Sequence, residues 1–264
     1  MLVPLSERLN TIISLVPLEL GVVDVGTDHA AVPIELAHLN QHRTIIGVEY
    51  NDRPYYQAVQ KIAKAQLTDV VEIRKGYGID CLAPGEVEVA IIAGLGSSTI
   101  EEILRRGKQV TKKLVKLILG PMDYPHQLRR YLLLNGFSIT QELLVHEFRW
   151  YEIITAVPGA QSGAILQPGA TDADLKEQLE NLFNKAFGVS KEASLLTLLE
   201  LTPLLSCEDI EQAAGFLQEK KDGINRILNK MPENVKTVQR RQALEEKLQI
   251  IWELEEKLCG SKIL

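Results

Sequence analysis

The sequence predicts an α/β chain, with a Rossmann-like, mostly parallel sheet over residues 1–160 and an all-helical, coiled-coil-like domain over residues 161–264. Three observations carry this. Short apolar runs alternate with helical spacing through the first part, as stacked βαβ units require. A stretch rich in Gly, Pro, Ser and Ala, Pro158 to Thr171, has no period and reads as a linker. Beyond it strand signals stop, and apolar residues recur by threes and fours. With 264 residues, 45% hydrophobic and 24% charged, the chain can bury the core of one medium domain and a smaller one.

In order, Gly21 to Val25 reads as the first strand and Ala31 to Leu39 as a helix. Thr44 to Glu49 is the second strand, and Pro54 to Gln66 a helix with proline in its first turn. Val70 to Arg74 is the third strand. Val87 to Ala93 is almost wholly apolar and too short for a helix, so it reads as a central buried strand, with Thr99 to Arg106 as the helix after it. Leu114 to Leu119 is the fifth strand, and Pro125 to Asn135 a helix ended near Gly136. Phe137 to Val145 and Trp150 to Val157 are two closing strands separated by a short turn. An antiparallel hairpin ending a parallel sheet is the finish of a class I methyltransferase fold and is absent from an ordinary dehydrogenase sheet.

After the linker, Leu175 to Phe187 and Lys191 to Leu201 read as helices. Cys207 to Met231 carries a seam of Ile210, Ala214, Leu217, Ile224, Leu228 and Met231, with Lys221 at the missed position. A second seam, Leu244, Leu248, Ile251 and Leu258, follows Pro232, so the two helices are expected to form an antiparallel hairpin. Its mixed surface, with Lys220, Lys221, Arg226, Lys230, Lys236, Arg240 and Arg241, permits either a clamp on RNA or pairing with another subunit.

Composition excludes several classes. No apolar run is long enough to span a bilayer, and Met1 to Ser6 lacks a signal peptide's basic and apolar regions, so a cytoplasmic protein without membrane attachment is expected. Cys81, Cys207 and Cys259 stand too far apart for a zinc motif and are expected as reduced thiols, with no metal. A net charge of -6 does not advertise a nucleic-acid partner, yet Arg105, Arg106, Lys108, Lys112, Lys113 and Lys116 form a run without an acid. That run is either a solvated surface or an RNA-facing patch.

The chemistry gathers at the ends of the strands. Asp24-Val25-Gly26-Thr27-Asp28-His29 closes the first strand and opens a helix, where a glycine allows a sharp turn against a nucleoside cofactor. It lacks the later glycines that admit a pyrophosphate, and its carboxylates suit a cofactor carrying an ammonium and a sulfonium, such as S-adenosyl-L-methionine, better than NAD. Glu49, followed by Tyr50, ends the second strand, where this fold class holds ribose hydroxyls on one carboxylate. Gly76-Tyr77-Gly78 follows the third strand, and Gly94-Leu95-Gly96-Ser97-Ser98 follows Ala93 at the end of the fourth, so four loops describe one crevice lined by Ala93, Gly94 and Leu95 among others. Tyr50, Tyr55 and Tyr56 are read as packing on the sheet more readily than as base-stacking rings.

Leu5-Ser6-Glu7-Arg8-Leu9, Asp24 to Ala30, Pro33, Gly47-Val48-Glu49, Ala93-Gly94-Leu95-Gly96, Leu117-Ile118-Leu119 with Pro121, and Trp150-Tyr151-Glu152-Ile153-Ile154 together resemble the bacterial TrmK family. The Asp28-His29 pair is the most specific part. The resemblance covers the N-terminal domain and includes a helical C-terminal one. It implies a tRNA (adenine-N1)-methyltransferase acting on the adenine at position twenty-two with S-adenosyl-L-methionine, Asp28 and His29 being candidates to orient the base or take its proton. The alternative for that pair is a helix cap at Asp28 and local packing of His29.

Where the family has Tyr, Asp, Met-Gly-Gly and Gln-Pro-Asn, this chain has Ala31, Tyr77, Leu95-Gly96-Ser97 and Gly120-Pro121-Met122. It therefore resembles a divergent member. A methyltransferase acting on another RNA or a small molecule, and a cofactor-binding relative with reduced or lost catalysis, are the rival readings.

Overall fold

A computed structural model describes residues 5–40, 43–189, 193–232 and 237–260, the side chains of 259 and 260 excepted. The expectations placed on Met1 to Pro4, the start of the helix from Lys191, Lys236 and the Cys259 thiol lie outside the described residues. The chain divides into two units, Met1–Pro168 and Gly169–Leu264.

The first unit contains α1 (Glu7–Ser14), β1 (Val22–Val25), α2 (Ala31–Leu39), β2 (Ile45–Glu49), α3 (Asp52–Lys64), β3 (Val71–Lys75), β4 (Val89–Ala93), α4 (Ser97–Arg106), α5 (Lys108–Thr111), β5 (Lys116–Gly120), α6 (Pro125–Leu134), β6 (Phe137–His146) and β7 (Trp150–Pro158). Seven strands form one sheet in the order β3-β2-β1-β4-β5-β7-β6, parallel from β3 to β5 and antiparallel where β7 joins β5 and β6. This is the class I methyltransferase order. All seven strands read from the sequence are present, most displaced by a residue or two. Val23, Ile91, Ile92, Leu117 and Ile118 are fully buried in the middle strands, which is why those stretches read as continuous apolar runs.

Strand order reverses between β1 and β4: the chain winds outward to β2 and β3, then returns to lay β4 on the other side of β1. The loops after β1 and β4 consequently leave in opposite directions and open a crevice at the C-terminal edge of the sheet. Helix α1, whose apolar face the sequence reading left unassigned, buries Ile12 and Ile13 and is capped by the Ser6 hydroxyl accepting from the Leu9 amide.

The expected linker belongs in part to this unit. Leu166 is fully buried and exchanges two backbone hydrogen bonds with Ile139, at 2.9 and 3.1 Å. A single anchoring residue leaves no period to read. Thr171 then opens α7 (Asp172–Phe187) with a reciprocal capping box to Asp174.

In the second unit α7 is followed by α8 (Leu195–Leu201), a 3-10 turn over Thr202–Leu205, α9 (Ile210–Lys230) and α10 (Val238–Gly260). The strict seam expected in α9 is corrected: Ala214 is exposed, while Ala213 and Phe216 are buried with Leu217 and Ile224. In α10 the buried set is Leu248, Ile250, Ile251 and Leu254. Both stripes are wider than a two-position seam, as in a globular bundle rather than a long coiled coil. Lys221, the polar break in the seam, pairs with Glu255 of α10 at 2.7 Å.

Candidate functional site

The crevice is a cavity of about 570 Å³. Asp24, Gly26, Thr27 and Asp28 line it from the first loop, Glu49 from the end of β2, and Ala93, Gly94 and Leu95 from the end of β4. Gly26 and Gly94 have φ of 75° and 80°, and a side chain at Gly94 would project into open space, so backbone rather than side chain borders the cavity there.

Two carboxylates are buried in this wall. Asp24 is 7% exposed, and burial raises its pKa to about 6; Glu49 adds to the rise, and the nearby Thr27 hydroxyl opposes it. That hydroxyl is buried and makes no hydrogen bond within normal geometry among the described residues. Glu49, also 7% exposed, uses Oε1 to accept from the Tyr50 and Asn51 amides at 2.9 and 3.1 Å. Its carboxylate is thereby fixed in orientation.

Asp28 lines the cavity with a side chain 72% exposed, and His29 Nε2 lies 3.6 Å from Asp28 Oδ1. The helix-cap alternative for Asp28 finds no hydrogen bond at this helix start, and His29, its side chain 47% exposed, is half-buried against its neighbour. His29 and Ala30 are consecutive left-handed residues, φ 62° and 52°, which L side chains adopt only under constraint.

Five expected site residues do not line the cavity. The Tyr77 hydroxyl donates to Glu102 of α4 at 3.0 Å, and the Arg106 guanidinium lies over its ring. Gly76 makes room for Cys81, and Gly78, at φ 61°, for Ile103 of α4. These glycines serve packing and a turn. Tyr50 stands edge-on to Tyr77 and is 62% exposed, and Tyr56 is 61% exposed, so neither packs on the sheet as expected. His29 is the fifth.

Sequence reasoning missed the contribution of α1 to the site. Arg8, Leu9 and Ile12 close one side of the cavity, with Asn51 and Pro54 from the start of α3 and Met122 from the loop after β5. Eight helical residues were too few for a period, although Leu5 to Leu9 carried part of the family resemblance.

The later part of the basic run, Lys112 to Lys116, leads into the start of β5 at the other edge of the sheet, whereas Arg106 lies over the ring of Tyr77 in the loop after β3. Helix α4 leads away from the cavity, and the Val115 amide bonds to Glu88, next to the start of β4. Lys116 donates to the Leu15 carbonyl at 2.8 Å, and Arg106 pairs with Asp80 at 2.7 Å. In the second unit Lys220 pairs with Glu200 and Lys221 with Glu255, while Arg241 caps the α9 carbonyls of Leu228 and Met231. Arg226, Lys230 and Arg240 remain exposed.

Among the described residues there is no group of His, Cys, Asp and Glu able to hold a metal ion, and no helix long and apolar enough to cross a membrane. Cys81 and Cys207 are free thiols.

Comparison with known proteins places these features. The family model "Methyltransferase domain" matches residues 5–154. The tRNA (adenine(22)-N(1))-methyltransferase of Bacillus subtilis is 29% identical over 161 residues, 61% of this chain and 68% of that protein. The crystal structure of Sp1610 of Streptococcus pneumoniae, described as a candidate tRNA (m1A22) methyltransferase, superposes with a TM-score of 0.74 at 26% identity, covering 96% of this chain and 100% of that one. The same protein in complex with S-adenosyl-L-methionine gives a TM-score of 0.71 at 24% identity, with 96% and 100% covered.

Proposed function

Because the chain belongs to the methyltransferase-domain family and is TrmK-like within it, we propose that it transfers a methyl group from S-adenosyl-L-methionine to N1 of an adenine in tRNA, at the position its Bacillus subtilis relative is named for. The observation that carries the reading is the pair of buried carboxylates, Asp24 and Glu49, turned to one cavity beside the unpartnered Thr27 hydroxyl and the backbone of Gly26 and Gly94. A donor set of two acids, one orphan hydroxyl and glycine backbone fits a cofactor bearing hydroxyls and positive charge, and it repels a diphosphate. Asp24 and Asp28 would face the positive part and Glu49 the ribose.

When bound, the cofactor supplies an electrophilic methyl on a positively charged sulfur. Adenine N1 has a free lone pair at neutral pH, so bond formation to the methyl carbon and return of the C–S electrons to sulfur need no prior deprotonation. The protein's part is alignment. N1 lies on the pairing edge of the base, so the adenine has to leave its stack to enter the cavity. Methylation leaves a cationic base, and the exposed Asp28 carboxylate, with His29 at 3.6 Å, is placed to stabilise that charge or accept an amino proton.

Ala31 and Met122 also line the cavity. That observation favours the second reading, a relative that keeps the cofactor and has slow chemistry, because both positions present apolar groups where a ring and an amide would hold a base. Transfer of labelled methyl from the cofactor to bulk unmodified tRNA, with mapping of the modified base, tests the function. Modification at another base, or of no RNA, would refute the assignment.

A further inference from the structure

Arg8 of α1 and Arg149, in the turn between β6 and β7, are far apart in sequence and meet over one ring. Their guanidinium carbons lie 4.8 and 4.7 Å from the Tyr151 ring centroid. Met122 joins them: Arg8 Nη1 is 3.7 Å and Arg149 Nη2 3.6 Å from its sulfur, and Arg149 also donates to its carbonyl at 3.1 Å. The Nε atoms of both arginines are buried with no partner.

Among the described residues no carboxylate stands within ion-pair distance of either guanidinium. Glu147, the acid in the same turn, accepts the Arg8 backbone amide at 2.9 Å, and that bond, with the Ser6 hydroxyl and the Arg8 charge, holds its pKa below the usual carboxylate range. Two partly desolvated cations on one ring thus share a single nearby carboxylate that pairs directly with neither, and an added anion would complete the arrangement. Arginine forks match phosphate oxygens in number and plane.

Position identifies the anion. Strand β7 enters the sheet beside the end of β5, with Leu119 opposite Ile154, so the turn 147–149 lies at the cavity edge of the sheet. Phe148 in that turn is 80% exposed and edge-on to Tyr151 at 5.5 Å. An exposed ring beside guanidinium groups is the combination that meets a nucleic-acid strand, base on ring and phosphate on cation.

We propose that Arg8 and Arg149, stacked on Tyr151 at the mouth of the cavity, clamp a backbone phosphate of the RNA whose base enters the cavity, with Phe148 offering its face to a neighbouring base. The inference rests on the RNA reading above. The cofactor's own carboxylate is the competing anion. It is disfavoured because Arg149 does not line the cavity and belongs to the exposed turn.

The test uses the full chain and the variants Arg8→Gln, Arg149→Gln and Arg149→Lys, with tRNA binding measured across salt and cofactor binding by calorimetry. The clamp requires each Gln variant to weaken tRNA binding and flatten its salt slope by about one unit, Arg149→Lys to restore most of the slope, and the cofactor affinity of the Arg149 variants, whose side chain does not line the cavity, to stay within about twofold. Weaker cofactor binding with an unchanged salt slope would assign the arginines to the cofactor carboxylate and overturn the proposal. Unchanged binding of both would make the stack structural and also overturn it. If the parent binds no tRNA, the tRNA reading fails by itself. The clamp is then judged on the arginine Nε–H resonances titrated with a single-stranded oligoadenylate: movement of the Arg8 and Arg149 signals keeps it, and none removes it.

Discussion

Arg129 Nη2 donates to Glu152 Oε2 at 2.6 Å in the interior, one residue along β7 from the ring that carries Arg8 and Arg149. Arg129 Nε also donates to Glu142 Oε1 at 2.5 Å, so one helical cation ties α6 to both closing strands. Burial works to lower the pKa of Arg129, and the two glutamates outweigh it, leaving the pKa raised. Replacing Arg129 with Met strands two buried carboxylates and should lower stability by about 3–5 kcal/mol. The triple change Arg129→Met, Glu142→Leu, Glu152→Leu removes every charge at once and should lose far less. Urea unfolding distinguishes them: equal losses would mean that packing volume, not charge, governs this core.

Asp24 gives the apoprotein a defined pH dependence. Its pKa is raised from 3.8 to about 6 in the folded chain, so between those values the unfolded chain has released a proton that the native one retains. Stability therefore falls as pH rises from about 4 to about 6, by a total of about 3 kcal/mol, and is flat above. Asp24→Asn should be more stable than the parent near pH 8 and bind cofactor poorly. An ammonium held by ionised Asp24 would make parent affinity drop about tenfold per pH unit below about 6. Calorimetry over that range checks it; pH-independent affinity would detach Asp24 from the charged end of the cofactor.

The left-handed pair His29 and Ala30 is where local chemistry and the fold disagree. Glycine relieves such strain, so His29→Gly should stabilise the protein by about 0.5–1 kcal/mol while reducing methyl transfer. Asn, which tolerates this region, separates backbone from imidazole: it should be stable and equally slow. Wild-type turnover in both variants would make His29 dispensable and leave Asp28 alone at the base.

The topology changes what to expect of the basic run. Lys112 and Lys113 are exposed and lead into the start of β5, at the edge of the sheet opposite the cavity, so reversing both to Glu should leave the KM for tRNA within about twofold at moderate salt, where screening confines charges to a reach of roughly 10 Å. A marked rise in KM would mean that RNA wraps to that edge.

What the sequence disclosed follows from how each feature is encoded. The strands were legible because β1, β4 and β5 are buried on both faces, and Asp24, Gly26, Glu49 and Gly94 because strand ends have a register. Tyr77 stands in the expected loop but turns its ring to α4 and Glu102 instead of lining the cavity, and only side-chain direction decides that. Arg8 and Arg149 could not be joined from sequence. Their meeting depends on α1 crossing to the β6–β7 turn, a contact with no period and no spacing. The Arg105 to Lys116 run left a solvated surface and an RNA-facing patch both open for the opposite reason: charge density is visible in sequence, but where each cation lies follows only from the direction of α4.

The last prediction concerns two of the positions where this chain parts from the family pattern and which line the cavity, Ala31 and Met122; Leu95, the third, exchanges one apolar side chain for another. On the proposed site, cofactor contacts would rest on Asp24, Glu49 and loop backbone, all of which border the cavity, so cofactor affinity should be ordinary. Base positioning has instead lost a ring at Ala31 and an amide at Met122, whose thioether is held against Arg8 and Arg149. A displacement of about an ångström in the reacting atoms can cost on the order of a hundredfold in rate, so the loss falls on chemistry and not on binding or folding. Ala31→Tyr with Met122→Asn should raise single-turnover methylation of the tRNA adenine by tenfold or more, at nearly constant cofactor affinity. Because Met122 also touches both clamp arginines, the tRNA salt slope of the double variant has to be measured beside its rate. An unchanged slope with a faster rate assigns the gain to the base. Rapid turnover by the unaltered protein would show that other groups in the cavity already hold it.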